Sequence, residues 1–419
     1  MQLLGWTLWS LLVAGVDQID DEVHAQFASA DFSVGALAEG PRYAVRCERL
    51  LTMASDDEIH RPGLLLIAGG RIQYAGEAVN TLPEGYDVLD LGEVWAAPGM
   101  IDLHSHVHTG GWGDINDMVL PVNPELRSTP TIRPSNPYIR RACAGGITTL
   151  FGIPGSGTSM SGFGILYKTK TDATYDEAVL RDPGGLKVAQ THNPERRAGD
   201  LGLTRAGLYW LLQDINDRAL EVEASGAFDP QLENLQSVLT GELPILIHCA
   251  GAIGVSSVVR MWHDEYDTNC TISHGSFNGW KIASWVAEKG VPVNHGPRTM
   301  DFRSSREGRI IGTGAEFANA GVPNFSLNTD ANVIPQESLS LQAAMSARLG
   351  GNSYEMLQAV TIHPARSFAI DHRVGSLEVG KDADVVLWSG DPIDPRSRVE
   401  LVLIDGRIEY DRRADGQWY

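Results

Sequence analysis

Basic residues are scarce in this chain, and so is cysteine. Thirty-three Lys and Arg stand against 53 Asp and Glu, a formal net charge of −20. Such a surface repels polyanions, so nucleic acid and anionic membrane are excluded as partners. The four cysteines, Cys47, Cys143, Cys249 and Cys270, form no CxxC pair. With Cys249 and Cys270 inside apolar runs, they read as buried free thiols and neither as a disulfide frame nor as a thiolate metal site. A membrane-spanning apolar run is missing too. The longest candidate, Leu3 to Val16, is too short to span a bilayer comfortably and has the length of a signal-peptide core. Val23-His24-Ala25 offers a small-x-small cleavage site after it. No Lys or Arg precedes the run and four acidic residues follow it, yet export is favoured over a cytoplasmic location. Residues 1–39 are read as an extension outside the fold.

What the chain does have is length enough for one large barrel plus a satellite domain. From Tyr43 onward short β-favouring runs are punctuated by turns, and Gly69-Gly70 between two such runs marks a hairpin. Leu403 to Tyr410 repeats the pattern near the other end, so the two chain ends are expected to pair into one small sheet domain. Between them, short apolar runs alternate with helical stretches, the form taken by repeated βα units. Eight candidate strands lie at Ile101–Val107, Ile147–Ile153, Phe163–Lys168, Leu186–Gln190, Ile245–Cys249, Thr271–His274, Val291–His295 and Asn324–Asn328. The expected fold is α/β, a parallel (β/α)8 TIM barrel over residues 97–370. A β-sandwich is built from residues 40–96 and 371–419. The longest excursion, Asn193 to Leu243, carries an amphipathic helix from Thr204 to about Ala224 and is read as a lid or pocket wall.

Chemistry in such a barrel collects at the C-terminal strand ends. There the first strand offers His104 and His106, which share a face because strand side chains alternate. The fifth strand offers His248, the sixth His274, and Asp330 lies just past the eighth. Any one of these is an ordinary polar residue at a strand end. Five ligand-type side chains at the one place where they can converge point to a metal site.

Three segments carry a family resemblance from about Tyr43 onward. Pro98-Gly99-Met100-Ile101-Asp102-Leu103-His104-Ser105-His106, Thr329-Asp330, and His363-Pro364-Ala365 with Gly375 to Val386 are similar to segments of the amidohydrolase superfamily, in its imidazolonepropionase-like and dipeptidase-like branches. The resemblance implies a divalent metal, zinc foremost, one or two per chain, and a metal-bound hydroxide as nucleophile. It implies His104, His106 and Asp330 on one metal, His248 and His274 on the other, a carboxylated lysine as bridge, and Asp330 as proton shuttle. Two lysines compete for the bridge: Lys187 on the fourth strand, which is favoured, and Lys168 on the third.

His248 is followed by Cys249-Ala250-Gly251, without the proton-shuttling glutamate of deaminating relatives, so a deaminase is disfavoured. Arg298 and His295, at the seventh strand end, are candidates to bind a substrate carboxylate and the scissile group. Gly155 to Gly162, rich in glycine and serine, reads as a flexible active-site loop. The expected activity is hydrolysis of a C–N amide bond in a dipeptide, an N-acyl amino acid or a cyclic amide. Hydrolysis of phosphotriesters or lactones on the same metals, or a non-catalytic scaffold, are the rivals. The expected partner is a small-molecule substrate, with no membrane-embedded domain, and a homo-oligomer is compatible with the sequence.

Overall fold

The computed structural model describes residues 40–111, 113–196, 204–303 and 308–419. The expected extension and signal segment therefore lie outside the described residues. Both chain ends enter one β-sandwich. Its first sheet holds Tyr43–Cys47, Gly63–Ala68, Arg71–Glu77 and Asp87–Asp90. Its second sheet takes Arg49–Leu51, Ile59–His60 and Trp95–Pro98 from the front of the chain and Val385–Trp388, Val399–Ile404 and Arg407–Asp411 from the back. The join between front and back is an antiparallel ladder in which Val385 faces Pro98 and Val386 faces Ala97. Alternation supplies the core: Val45, Leu65, Ile67 and Ile72 from one sheet meet Leu50, Ala96, Val385 and Leu403 from the other. Gly69 and Gly70 make the hairpin turn between the second and third strands with φ of 59° and 75°, a left-handed pair that suits glycine.

Two residues after Trp95–Pro98 the barrel begins. Its eight strands are Met100–Ser105, Ile147–Gly152, Met160–Lys168, Val179–Ala189, Ile245–Ala250, Cys270–Ser276, Val293–His295 and Ser326–Leu327, adjacent in that order. Every candidate run from the sequence overlaps one of them, the eighth only at Ser326–Leu327. The third strand departs from expectation, because it runs antiparallel to both the second and the fourth. A short apolar run carries no direction, and here the chain turns straight back at the top of the second strand instead of crossing over through a helix. Lys168, at the C-terminal end of this reversed strand, is thereby delivered to the opposite end of the barrel from the other strand ends. The ladder is also thin where the barrel closes: among the described residues the first strand meets only the segment just past the eighth, through a bridge from Ser105 to Ala331.

The helix expected from Thr204 spans Arg205–Ser225. The Thr204 hydroxyl accepts the Gly207 N–H at its start, and Gly226 in the left-handed region ends it. Leu212, Ile215 and Ala219 on its inner face join the main barrel core, so it packs as a barrel helix. Among the described residues no helix is long and apolar enough to cross a membrane.

Candidate metal and catalytic site

The first strand presents His104 and His106 on one face, as alternation requires, with ring centroids 5.1 Å apart and planes almost perpendicular. Asp330 arrives from beyond the eighth strand in a left-handed conformation, φ 49°. Its Oδ1 lies 3.2 Å from His104 Nε2 and 3.4 Å from His106 Nε2, and its Oδ2 lies 4.0 Å from His274 Nε2. His274 also has positive φ, 72°. That kink breaks the alternation of the sixth strand, so Ser273 and His274 both reach the site: the Ser273 hydroxyl lies 2.6 Å from His104 Nδ1. His248 meets His274 edge to face at 4.5 Å between centroids. Non-glycine residues held in left-handed backbone store strain, and two of them at one cluster mark a site whose geometry the surroundings enforce.

The imidazoles are fixed from behind. His106 Nδ1 donates to the Ile153 carbonyl at 2.9 Å and His274 Nδ1 to the Gly296 carbonyl at 2.7 Å. Each bond fixes a tautomer in which Nε2 carries the lone pair that faces the centre. Burial pushes His104, His248 and His274 below the ordinary histidine range, against the pull of Asp330, and keeps them neutral. Burial would raise the Asp330 carboxyl, but any proton on the surrounding His104, His106 or His274 pulls it well below the usual carboxylate range. His274 Nε2 and both nitrogens of His248 are buried without a hydrogen-bond partner. Orphaned lone pairs around one carboxylate are costly unless an ion satisfies them. The donor atoms of His104, His274 and Asp330 lie within 4.8 Å of one another, a spacing a single divalent ion can occupy.

Lys187 is completely buried on the fourth strand, and its ammonium donates to the Ser156 hydroxyl at 2.7 Å. Burial brings its pKa down to about 7, opposed by Asp330. Lys168 lies elsewhere: its Nζ is bound by Asp382 at 2.7 Å, by Asp384 at 3.1 Å and by Asp405, all from the sandwich side. The reversed strand thus removes Lys168 from the contest for the bridge.

Two substrate candidates separate. His295 is buried with both nitrogens engaged, Nδ1 by the His274 carbonyl at 2.5 Å and Nε2 by the Thr313 hydroxyl at 2.8 Å. It supports the turn that carries His274, and no nitrogen is left for a scissile group. Arg298 is exposed, its guanidinium over the Phe277 ring at 5.2 Å from the centroid. Phe277 follows His274 by three residues in the chain.

Gly155 to Gly162 is not loose. Gly155 N–H donates to the Ile115 carbonyl, Ser159 N–H to the Pro121 carbonyl and the Ser161 hydroxyl back to the Gly155 carbonyl, and the segment is buried. Sequence reasoning missed Ser156 for this reason, and it missed Ser273 because the His274 kink is invisible in a strand pattern. Asp102 was also missed. Its place two residues before His104, on the same strand, was the available signal.

A barrel whose strand ends gather imidazoles around an ionised aspartate defines the class of metal-dependent hydrolases. The Amidohydrolase family model matches residues 199–409. The barrel and sandwich superpose on an amidohydrolase from Thermotoga maritima MSB8 with a TM-score of 0.79 at 30% identity, covering 88% of this chain and 100% of that one. The chain belongs to the amidohydrolase family and is a hydrolase acting on C–N bonds. It is 23% identical over 397 residues to an imidazolonepropionase of Thermoplasma acidophilum, across 86% of this chain and 92% of that protein. It is 24% identical over 377 residues to amidohydrolase tasK of Hapsidospora irregularis, across 79% of this chain but 38% of that protein.

Proposed function

We propose that this protein hydrolyses an amide bond in a small substrate that carries a carboxylate, an N-acyl amino acid or a dipeptide, with zinc as the resident metal. The observation that carries the reading is the convergence of Asp330 with His104, His106 and His274 around buried lone pairs. A divalent ion held there supplies two things, a lowered pKa for water and polarisation of a carbonyl. His104, His106 and Asp330 would hold one ion, and His248 with His274 a second. Lys187, buried on the fourth strand, would be the carboxylated lysine between them. Its buried amine, brought down to about 7, is in large part neutral at physiological pH and so able to take up carbon dioxide. Asp330, ionised among the imidazoles, takes the proton of the attacking water and returns it to the leaving nitrogen, acting first as base and then as acid. Arg298, its guanidinium over the Phe277 ring, binds the substrate carboxylate.

The test is a panel of dipeptides, N-acyl amino acids and cyclic amides against phosphotriesters and lactones, run on metal-replete protein and on Arg298→Met. Turnover of carboxylate-bearing amides, with KM raised about tenfold in Arg298→Met and kcat little changed, is expected from the loss of one charged hydrogen-bonded contact. Turnover confined to phosphotriesters or lactones contradicts the amide reading.

A further inference from the structure

Where the barrel closes, among the described residues the first strand meets only the segment just past the eighth, through the bridge at Ser105 and Ala331. Yet this seam separates the residues that must be held most closely, His104 and His106 on one side and Asp330 on the other. A buried side-chain cluster crosses it. Asp102 Oδ1 accepts the His104 N–H at 2.8 Å. Asp102 Oδ2 accepts three bonds from the other side: the Thr329 N–H at 3.0 Å, the Thr329 hydroxyl at 2.6 Å and the Gln336 amide at 2.6 Å. Gln336 completes the circuit by accepting the Ser105 hydroxyl at 2.6 Å. Asp102 and Gln336 are essentially inaccessible to solvent.

We infer that Asp102, with Thr329 and Gln336, is a positioning clasp that sets the distance between the His104–His106 pair and Asp330 and so tunes metal affinity. One carboxylate grips the peptide N–H of a proposed ligand, His104, and the residue directly before another, Asp330. Asp330 sits at φ 49°, a conformation that relaxes unless it is fixed on both sides. Upstream the fixing comes from the two Asp102–Thr329 bonds. Downstream the Ala331 carbonyl accepts the His106 N–H at 2.6 Å, and the Asp330 carbonyl accepts the Val333 N–H at 2.6 Å. The inference rests on the proposal that these residues hold a metal, and it adds which residues set that metal's affinity from behind.

The experiment is chelator competition with zinc on metal-stripped, folded protein, comparing wild type with Asp102→Asn, Thr329→Val and Thr329→Ser. Loss of a supporting residue behind metal ligands typically weakens affinity about 10- to 100-fold. That loss is expected in Asp102→Asn. A smaller loss is expected in Thr329→Val, which removes only the hydroxyl, and near-wild-type affinity in Thr329→Ser, which restores it. Should Asp102→Asn fail to fold, the Thr329 pair carries the test alone. Equal zinc affinity in wild type, Thr329→Val and Thr329→Ser overturns the clasp while leaving the metal site standing. Wild-type protein that takes up no zinc overturns the metal proposal and the clasp together.

Discussion

The barrel has a charged cluster at each end, and the two are built on opposite principles. At the top, one carboxylate, Asp330, faces neutral imidazoles whose lone pairs have no partner, and the nearby Lys187 is depressed to about 7. At the bottom, three carboxylates surround cations that the chain itself supplies. Lys168 binds Asp382, Asp384 and Asp405; Lys170 binds Asp405 at 2.7 Å; and Arg373 binds Asp382 at 2.7 Å. Burial would lower the Lys168 ammonium, but the three aspartates keep it above the ordinary lysine range. Two buried lysines, on neighbouring strands, are thus pushed in opposite directions. A cluster that contains its own cation is a structural joint, here between barrel and sandwich. A cluster of donors without one is prepared for a cation from outside.

Substitutions at the two ends sharpen this contrast. The largest expected effect is at the top: Asp330→Asn should lower kcat about 10²- to 10⁴-fold, the usual worth of general acid–base catalysis, in steady-state kinetics with metal in excess. A rate near wild type would remove Asp330 from the proton-transfer role. At the bottom, Lys168→Met leaves the buried Asp384 without its cation and takes one partner each from Asp382 and Asp405. It should cost about 3–5 kcal/mol in urea unfolding while the metal content of the folded protein stays unchanged. Metal loss without loss of stability would reverse the assignment of the two lysines. Lys187→Ala should weaken metal binding about 10- to 100-fold, with partial recovery when short carboxylic acids are added. The smallest effect is one of pH. Because the Lys168 pKa is raised on folding, its contribution is fully present below the ordinary lysine value of 10.5 and is lost as pH climbs through the higher folded value. The stability gap between wild type and Lys168→Met should therefore hold steady from neutral pH to about 10 and shrink above that, as followed by unfolding midpoints.

The same contrast explains what could be read in the sequence. Strand alternation and the rule that barrel chemistry sits at C-terminal strand ends were enough to gather His104, His106, His248, His274 and Asp330. Both rules depend only on local periodicity and chain order. Strand direction depends on neither, so the pattern marks Phe163–Lys168 as a strand without saying that it runs antiparallel and carries Lys168 to the opposite end. His295 obeyed the strand-end rule and still turned to the backbone of His274, because facing is decided by a kink at φ 72° that no pattern of apolar residues encodes. The ordered Gly155–Gly162 segment misled for a related reason. Glycine and serine signal freedom only when the backbone has no partners, and here the Ile115 and Pro121 carbonyls supply them. Asp102 lies in plain view within its motif, but the three hydrogen bonds it draws from Thr329 and Gln336 exist only once the ends of the sheet meet.

Anomalous diffraction from crystals grown with zinc tests the central claim most directly. The account predicts a peak at the top of the barrel, about 2.0–2.2 Å from His104 Nε2, His106 Nε2 and an Asp330 oxygen. A map with zinc only at surface sites, and none among these three residues, would contradict it.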